Sequence, residues 1–178
     1  MRHRVFTIFG AALLAGLVAC ATPPTIKTGW DKRVDFAKYR TWTWHPDGSI
    51  RDEVWARRCQ SVLADSLETK KLKEVNESPD LWAVVHARLS TETVVVPYSS
   101  AWGYGMGTWG YDESFYESVP VGTLILDLVD VKVKQVVFRG RARGEIQADK
   151  SNEEREQNLR KIFAQIFADY PLGAPGAP

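Results

Sequence analysis

Most catalytic and metal chemistry draws on histidine, thiolate, paired carboxylates or an activated hydroxyl, and this chain offers few of these in useful arrangements. Beyond the first residues there are His45 and His86, and neither has a second ligand at metal-binding spacing. Asp127 and Asp130 stand three apart in a strand-like segment, so they project to opposite faces and cannot share a proton as an acid/base pair. The run Gly103-Tyr104-Gly105-Met106-Gly107 lacks the Lys-Ser/Thr pair with which a phosphate loop holds its ligand. No serine occupies a Gly-x-Ser-x-Gly elbow. The sequence therefore predicts no enzyme, no metal and no cofactor.

What remains is surface chemistry. Trp102, Tyr104, Trp109 and Tyr111 alternate with four glycines inside the segment from Tyr98 to Ser118. Large amphipathic rings on an adaptable backbone recur at binding surfaces and at membrane interfaces, which makes this segment a candidate binding loop. The plainer reading is that the rings cover the sheet. Arg139, Arg141 and Arg143 recur at period two, so on a strand they form one row of guanidiniums, a candidate contact for lipid phosphate or an acidic glycan. There the plainer reading is a solvated face cross-paired with Asp or Glu.

The elements that must position these groups follow from periodicity. Thr25 to Trp30 reads as a short first strand, Val34 to Tyr39 as a turn or short helix, and Arg40 to Trp44 as a half-buried strand. From Ile50 to Leu72, Trp55, Cys59, Val62, Leu63, Ser66 and Leu67 share one helical face. Cys59 is thus expected to be a buried, inert thiol. Leu81 to Val96 alternates as a long strand, with Leu81, Ala83, Val85, Ala87 and Leu89 on one face. Val121–Asp130 and Lys132–Ile146 read as a hairpin turning at Asp130, with Val136, Phe138 and Ala142 inward and the arginines outward. Ser151 and Glu154 form a capping box ahead of a helix whose stripe is Leu159, Ile162, Phe163, Ile166, Phe167 and Tyr170. The expected fold is α+β, an antiparallel sheet of about five strands with both helices on one face. A pocket between sheet and helices, lined by Leu126, Phe138 and Phe163, would make the domain a carrier of a small apolar ligand.

The length of 178 residues suits a single domain. A formal charge of +1 gives no basic surface for nucleic acid. Arg2, His3 and Arg4 precede an uncharged apolar stretch from Val5 to Val18, the pattern of a secretory signal and too short for a spanning helix. Leu17-Val18-Ala19-Cys20 resembles the lipobox of bacterial lipoproteins. The resemblance implies that Cys20 becomes a lipidated N-terminus, held by two or three acyl chains at about 0.8 kcal/mol per buried CH₂. Loss of residues 1–19 removes Arg2 and Arg4, leaving 21 basic against 22 acidic residues, a charge of −1. Ala21, in place of the aspartate that resembles an inner-membrane retention signal, implies the inner leaflet of the outer membrane of a Gram-negative cell. The expected division is a signal at 1–19, a tether at 20–28, one domain at 29–171 and a Gly/Pro/Ala tail at 172–178.

Asp35-Phe36-Ala37-Lys38-Tyr39-Arg40-Thr41-Trp42-Thr43-Trp44, Pro79-Asp80-Leu81, Gly122 to Asp130, Phe138 to Ala142 and Tyr170-Pro171 together resemble a family of bacterial lipoproteins known as domain of unknown function 4136. Phe138 stands where that family more often has Trp. The resemblance implies a lipidated α+β domain outside the cytoplasm, and supplies no activity. The expected function is an envelope lipoprotein with a non-enzymatic binding or structural domain. Its expected partners are the membrane, through the anchor, and another envelope protein, lipid or glycan.

Overall fold

The computed structural model describes residues 23–97, 114–147 and 149–172. Cys20, Trp102, Tyr104, Trp109 and Tyr111 lie outside the described residues, as do the signal segment and residues 173–178. The strands are β1 (Thr25–Trp30), β2 (Thr41–Trp44), β3 (Lys73–Glu74), β4 (Leu81–Pro97), β5 (Ser114–Asp130) and β6 (Gln135–Glu145); the helices are α1 (Glu53–Glu68) and α2 (Asn152–Ala168). They form one six-stranded sheet in the order β1-β6-β5-β4-β2-β3.

The sheet is mixed, which corrects the antiparallel expectation. β2 pairs parallel with both β3 and β4, while β4, β5, β6 and β1 are antiparallel. The cause is connectivity: α1 carries the chain from β2 back across the sheet before β4 begins, and such a crossover leaves the flanking strands parallel. β3 adds the sixth strand. It occupies residues just past α1, which ends at Glu68 rather than at Leu72; Lys71 takes a left-handed φ of 63° there and turns the chain out of the helix.

α1 begins where Asp52 accepts the amides of Val54 and Trp55, and α2 where Ser151 and Glu154 close the expected capping box. Both helices bury their stripes on one face of the sheet. Cys59, Val62, Leu63 and Leu67 of α1 and Leu159, Phe163, Ile166 and Phe167 of α2 meet Leu81, Ala83, Val85, Leu124, Leu126, Leu128, Phe138 and Ala142 in a single core. Packing is close enough that a Cβ on Gly140 would lie 2.2 Å from Ile166 Cγ2. Leu126, Phe138 and Phe163 are fully buried, and Phe138 stacks on Phe167 with centroids 5.7 Å apart, so the expected carrier pocket is filled by the core at that place.

Five further differences are local. The β5–β6 turn spans Val131–Lys134, closed by the Lys134 amide to the Asp130 carbonyl. A register shift beside Leu128 and Val129 then puts Val137 in the core and leaves Val136 44% exposed. Leu89 continues the inward alternation of β4 but lies past the helices, and is 78% exposed. Ser114 to Ser118, expected in the loop, are the start of β5. At the other end of the chain, Thr25 to Thr28 of the expected tether pair with β6.

Candidate functional site: the open face of the sheet

The face opposite the helices is built by alternation. On β6 it takes Arg139, Arg141 and Arg143, as the sequence predicts; cross-strand register places Gly29, Lys27 and Thr25 of β1 beside them, and Asp127, Ile125 and Thr123 of β5 on the other side. Beyond β5 come Val84, His86 and Arg88 of β4. The arginine row is largely cross-paired. Arg139 donates through Nε and Nη2 to the two carboxylate oxygens of Asp127, each at 2.6 Å, a bidentate pair whose carboxylate is buried. The bond to Asp127 pushes the Arg139 guanidinium further up than usual. Arg143 pairs with Glu92. Arg141, exposed between Lys27 and Ile125, meets no acceptor among the described residues. At the end of the row a shallow groove of about 220 Å³ is lined by Pro23, Thr25, Val121, Arg143, Gly144 and Glu145.

Nearer the start of β4, Trp82 is flanked by the His45 ring, 4.6 Å between centroids, and by the Lys134 ammonium at 5.7 Å. Among the described residues no group of three His, Cys, Asp or Glu could hold a metal. Cys59 is buried in α1, and burial pushes its thiol up, out of the reactive range.

The two strand-end carboxylates are structural. Asp130 accepts from the amides of Lys132 and Val133, the Lys38 ammonium and the Tyr39 hydroxyl. Asp80, the residue just before β4, accepts from the amides of Arg40 and Thr41 and from the Thr41 hydroxyl. For Asp80, burial alone would raise the carboxyl, and these donors outweigh it and hold it low. Asp127 and Asp130 do face opposite ways, one to Arg139 and one to Tyr39. Sequence reading assigns Asp130 to the turn but has no means to find Lys38 and Tyr39, which lie some ninety residues away and meet it only through the fold.

β4 and β5 run well past the helices. From Thr91 opposite Pro120 to Pro97 opposite Ser114 no third strand among the described residues joins them, so the sheet extends into a two-stranded ribbon. Residues 98–113 join its strands.

Fold and surface together define an α+β domain with one face covered by helices, one charged face that no described element covers, and a projecting ribbon. The chain belongs to the family described as Domain of unknown function (DUF4136), whose model matches residues 26–172. No curated protein matches it. Among solved structures it is similar to a PelC dodecamer from Paraburkholderia phytofirmans, at 11% identity and a TM-score of 0.50, over 85% of this chain and 98% of that one. It is also similar to a PDZ domain protein from Parabacteroides distasonis, at 13% identity and a TM-score of 0.55, over 86% of this chain but only 37% of that longer one. At such identities the likeness is one of fold.

Proposed function

We propose that this protein is a lipid-anchored component of the bacterial envelope, attached through Cys20 to the inner leaflet of the outer membrane, whose domain works by contact and not by catalysis. The observation that carries this reading is the division of the surface. The space between sheet and helices is filled, while the face that the described residues leave open and the ribbon present what the domain has to offer a partner. No helix among the described residues is long and apolar enough to cross a membrane, and the attachment in this reading is through the acyl chains on Cys20. The similarity to a dodecameric PelC supports assembly of several copies as the form of that contact.

The test is metabolic labelling with a palmitate analogue, followed by membrane fractionation of the parent and of Cys20→Ser. The parent should carry label and stay with membranes after an alkaline wash, and Cys20→Ser should lose both. Label retained by Cys20→Ser, or none on the parent, refutes the anchor.

A further inference from the structure

The ribbon has two edges, and backbone direction shows what each offers. On β4, the His45 amide bonds the Ala83 carbonyl, the Ser49 hydroxyl bonds both the amide and the carbonyl of Ala87, and the loop at Gly48 lies so close that a Cβ there would sit 2.2 Å from the Val85 carbonyl oxygen. Odd-numbered residues of β4 therefore turn their peptide groups away from β5, and residues 45–49 cover that edge as far as Ala87. By the same alternation Leu89, Thr91, Thr93 and Val95 turn theirs outward, and no strand or loop among the described residues pairs with them. On β5, the Ile146 amide bonds the Pro120 carbonyl, so even-numbered residues face outward. Pro120 has no amide hydrogen to give, and β6 pairing stops short of it; Ser118, Tyr116 and Ser114 follow with their peptide groups directed out.

Edge strands are ordinarily defended by being short, by lysine, by a bulge or by a covering loop. In this sheet β3 has two residues, β1 carries Lys27, and the lower half of β4 is covered. Among the described residues the ribbon edge of β4 has none of these: Leu89, Thr91 and Thr93 are exposed, and the register with β5 runs without a break from Leu81 to Pro97.

We propose that this edge is an assembly surface for a second copy of the same chain, the β4 edge at Leu89–Val95 pairing antiparallel with the β5 edge at Ser114–Ser118 of the next copy. Within a copy β4 and β5 already run antiparallel, so placing β4 beside a neighbour's β5 continues the alternation with every ribbon pointing the same way. The contact is head to tail, and repetition closes it into a ring or extends it. Copies that share one orientation can all be anchored in one leaflet. A two-fold contact of β4 with β4 would instead point the ribbons in opposite directions. The inference rests on the reading of an anchored, self-assembling component and names its interface.

The experiment uses the mature lipoprotein in mild detergent, with native mass spectrometry for copy number and a short bis-maleimide to report the contact. Thr93 and Ser118 face each other within one copy, so the two cysteines are put on separate copies: co-expressed Thr93→Cys and Ser118→Cys chains should give a crosslinked dimer on denaturing gels, and neither variant alone should. Thr93→Pro removes an outward amide that the ribbon itself does not use, so it should abolish the assembly while leaving the thermal midpoint within a few degrees. Crosslinking by Thr93→Cys alone, or an assembly that survives Thr93→Pro and gives no dimer between the two variants, overturns the edge while leaving self-assembly standing. A parent that is monomeric throughout overturns both.

Discussion

Asp130 is where this fold depends most on one ionised group. Its side chain is 5% exposed and takes hydrogen bonds from Tyr39 Oη at 2.7 Å, Lys132 N at 2.8 Å, Lys38 Nζ at 3.0 Å and Val133 N at 3.2 Å. Burial alone would raise the carboxyl, and these donors outweigh it and hold it at about 2, against 3.8 for the free group. A carboxyl lower in the folded than in the unfolded chain gives stability that is present at neutral pH and lost as pH falls from about 4 through 2. The difference is worth about 2 kcal/mol at pH 7, and roughly half of it is gone by pH 3. Asp130→Asn keeps the shape and one acceptor oxygen but cannot ionise. It should be about 2 kcal/mol less stable than the parent at pH 7, and the gap should narrow to about 1 kcal/mol at pH 3. The assay is urea unfolding followed by tryptophan fluorescence at both pH values, read as the gap between the two proteins. Asp80 and Glu154 also sit below their usual range, and their contributions cancel in that gap. A gap that stays the same size from pH 7 to pH 3 would refute the argument that the charge on Asp130, rather than its shape, ties the turn to Lys38 and Tyr39.

Two further substitutions probe the packed face. Gly140→Ala places a methyl 2.2 Å from Ile166 Cγ2, on the stem of a buried side chain, and should cost about 1–3 kcal/mol in urea unfolding, with part regained when Ile166→Ala is added. Tyr170→Phe removes a buried hydroxyl that has no hydrogen-bond partner among the described residues while leaving its ring against Phe36, Phe138 and Phe167. It should raise stability by about 1 kcal/mol, seen as a higher thermal midpoint.

Periodicity is legible in a sequence where one face of an element is buried along its whole length. That is why the stripes of α1 and α2, the capping box at Ser151 and the inward leucines of β5 are all found from the residues alone. It fails where burial stops before the element does. β4 and β5 continue past the helices, so Ser114 to Ser118 carry no inward signal and read as loop. The parallel pairing of β2 with β4 is a property of the crossover and not of either strand. Val137 enters the core only because the ladder skips a residue beside Leu128. The arginine row is legible as a row, since period two suffices. That Asp127 and Glu92 neutralise two of its members depends on strand register, which no single strand contains.

The same distinction separates what this surface needs from what it offers. The helix-covered face uses its apolar residues in the core, and the bare face meets most of its own charge through Arg139 with Asp127 and Arg143 with Glu92. Bonding capacity that the described residues leave unused is therefore concentrated in the peptide groups of the ribbon. Peptide groups do not discriminate between side chains, so a partner that pairs with them must be selected by reach, direction and register. Pro97 and Pro120 set those limits, the first by ending the donors on β4 and the second by interrupting them on β5 where β6 finishes. A copy of the same ribbon meets the reach and direction requirements at once, because it carries an edge of matching length running the opposite way.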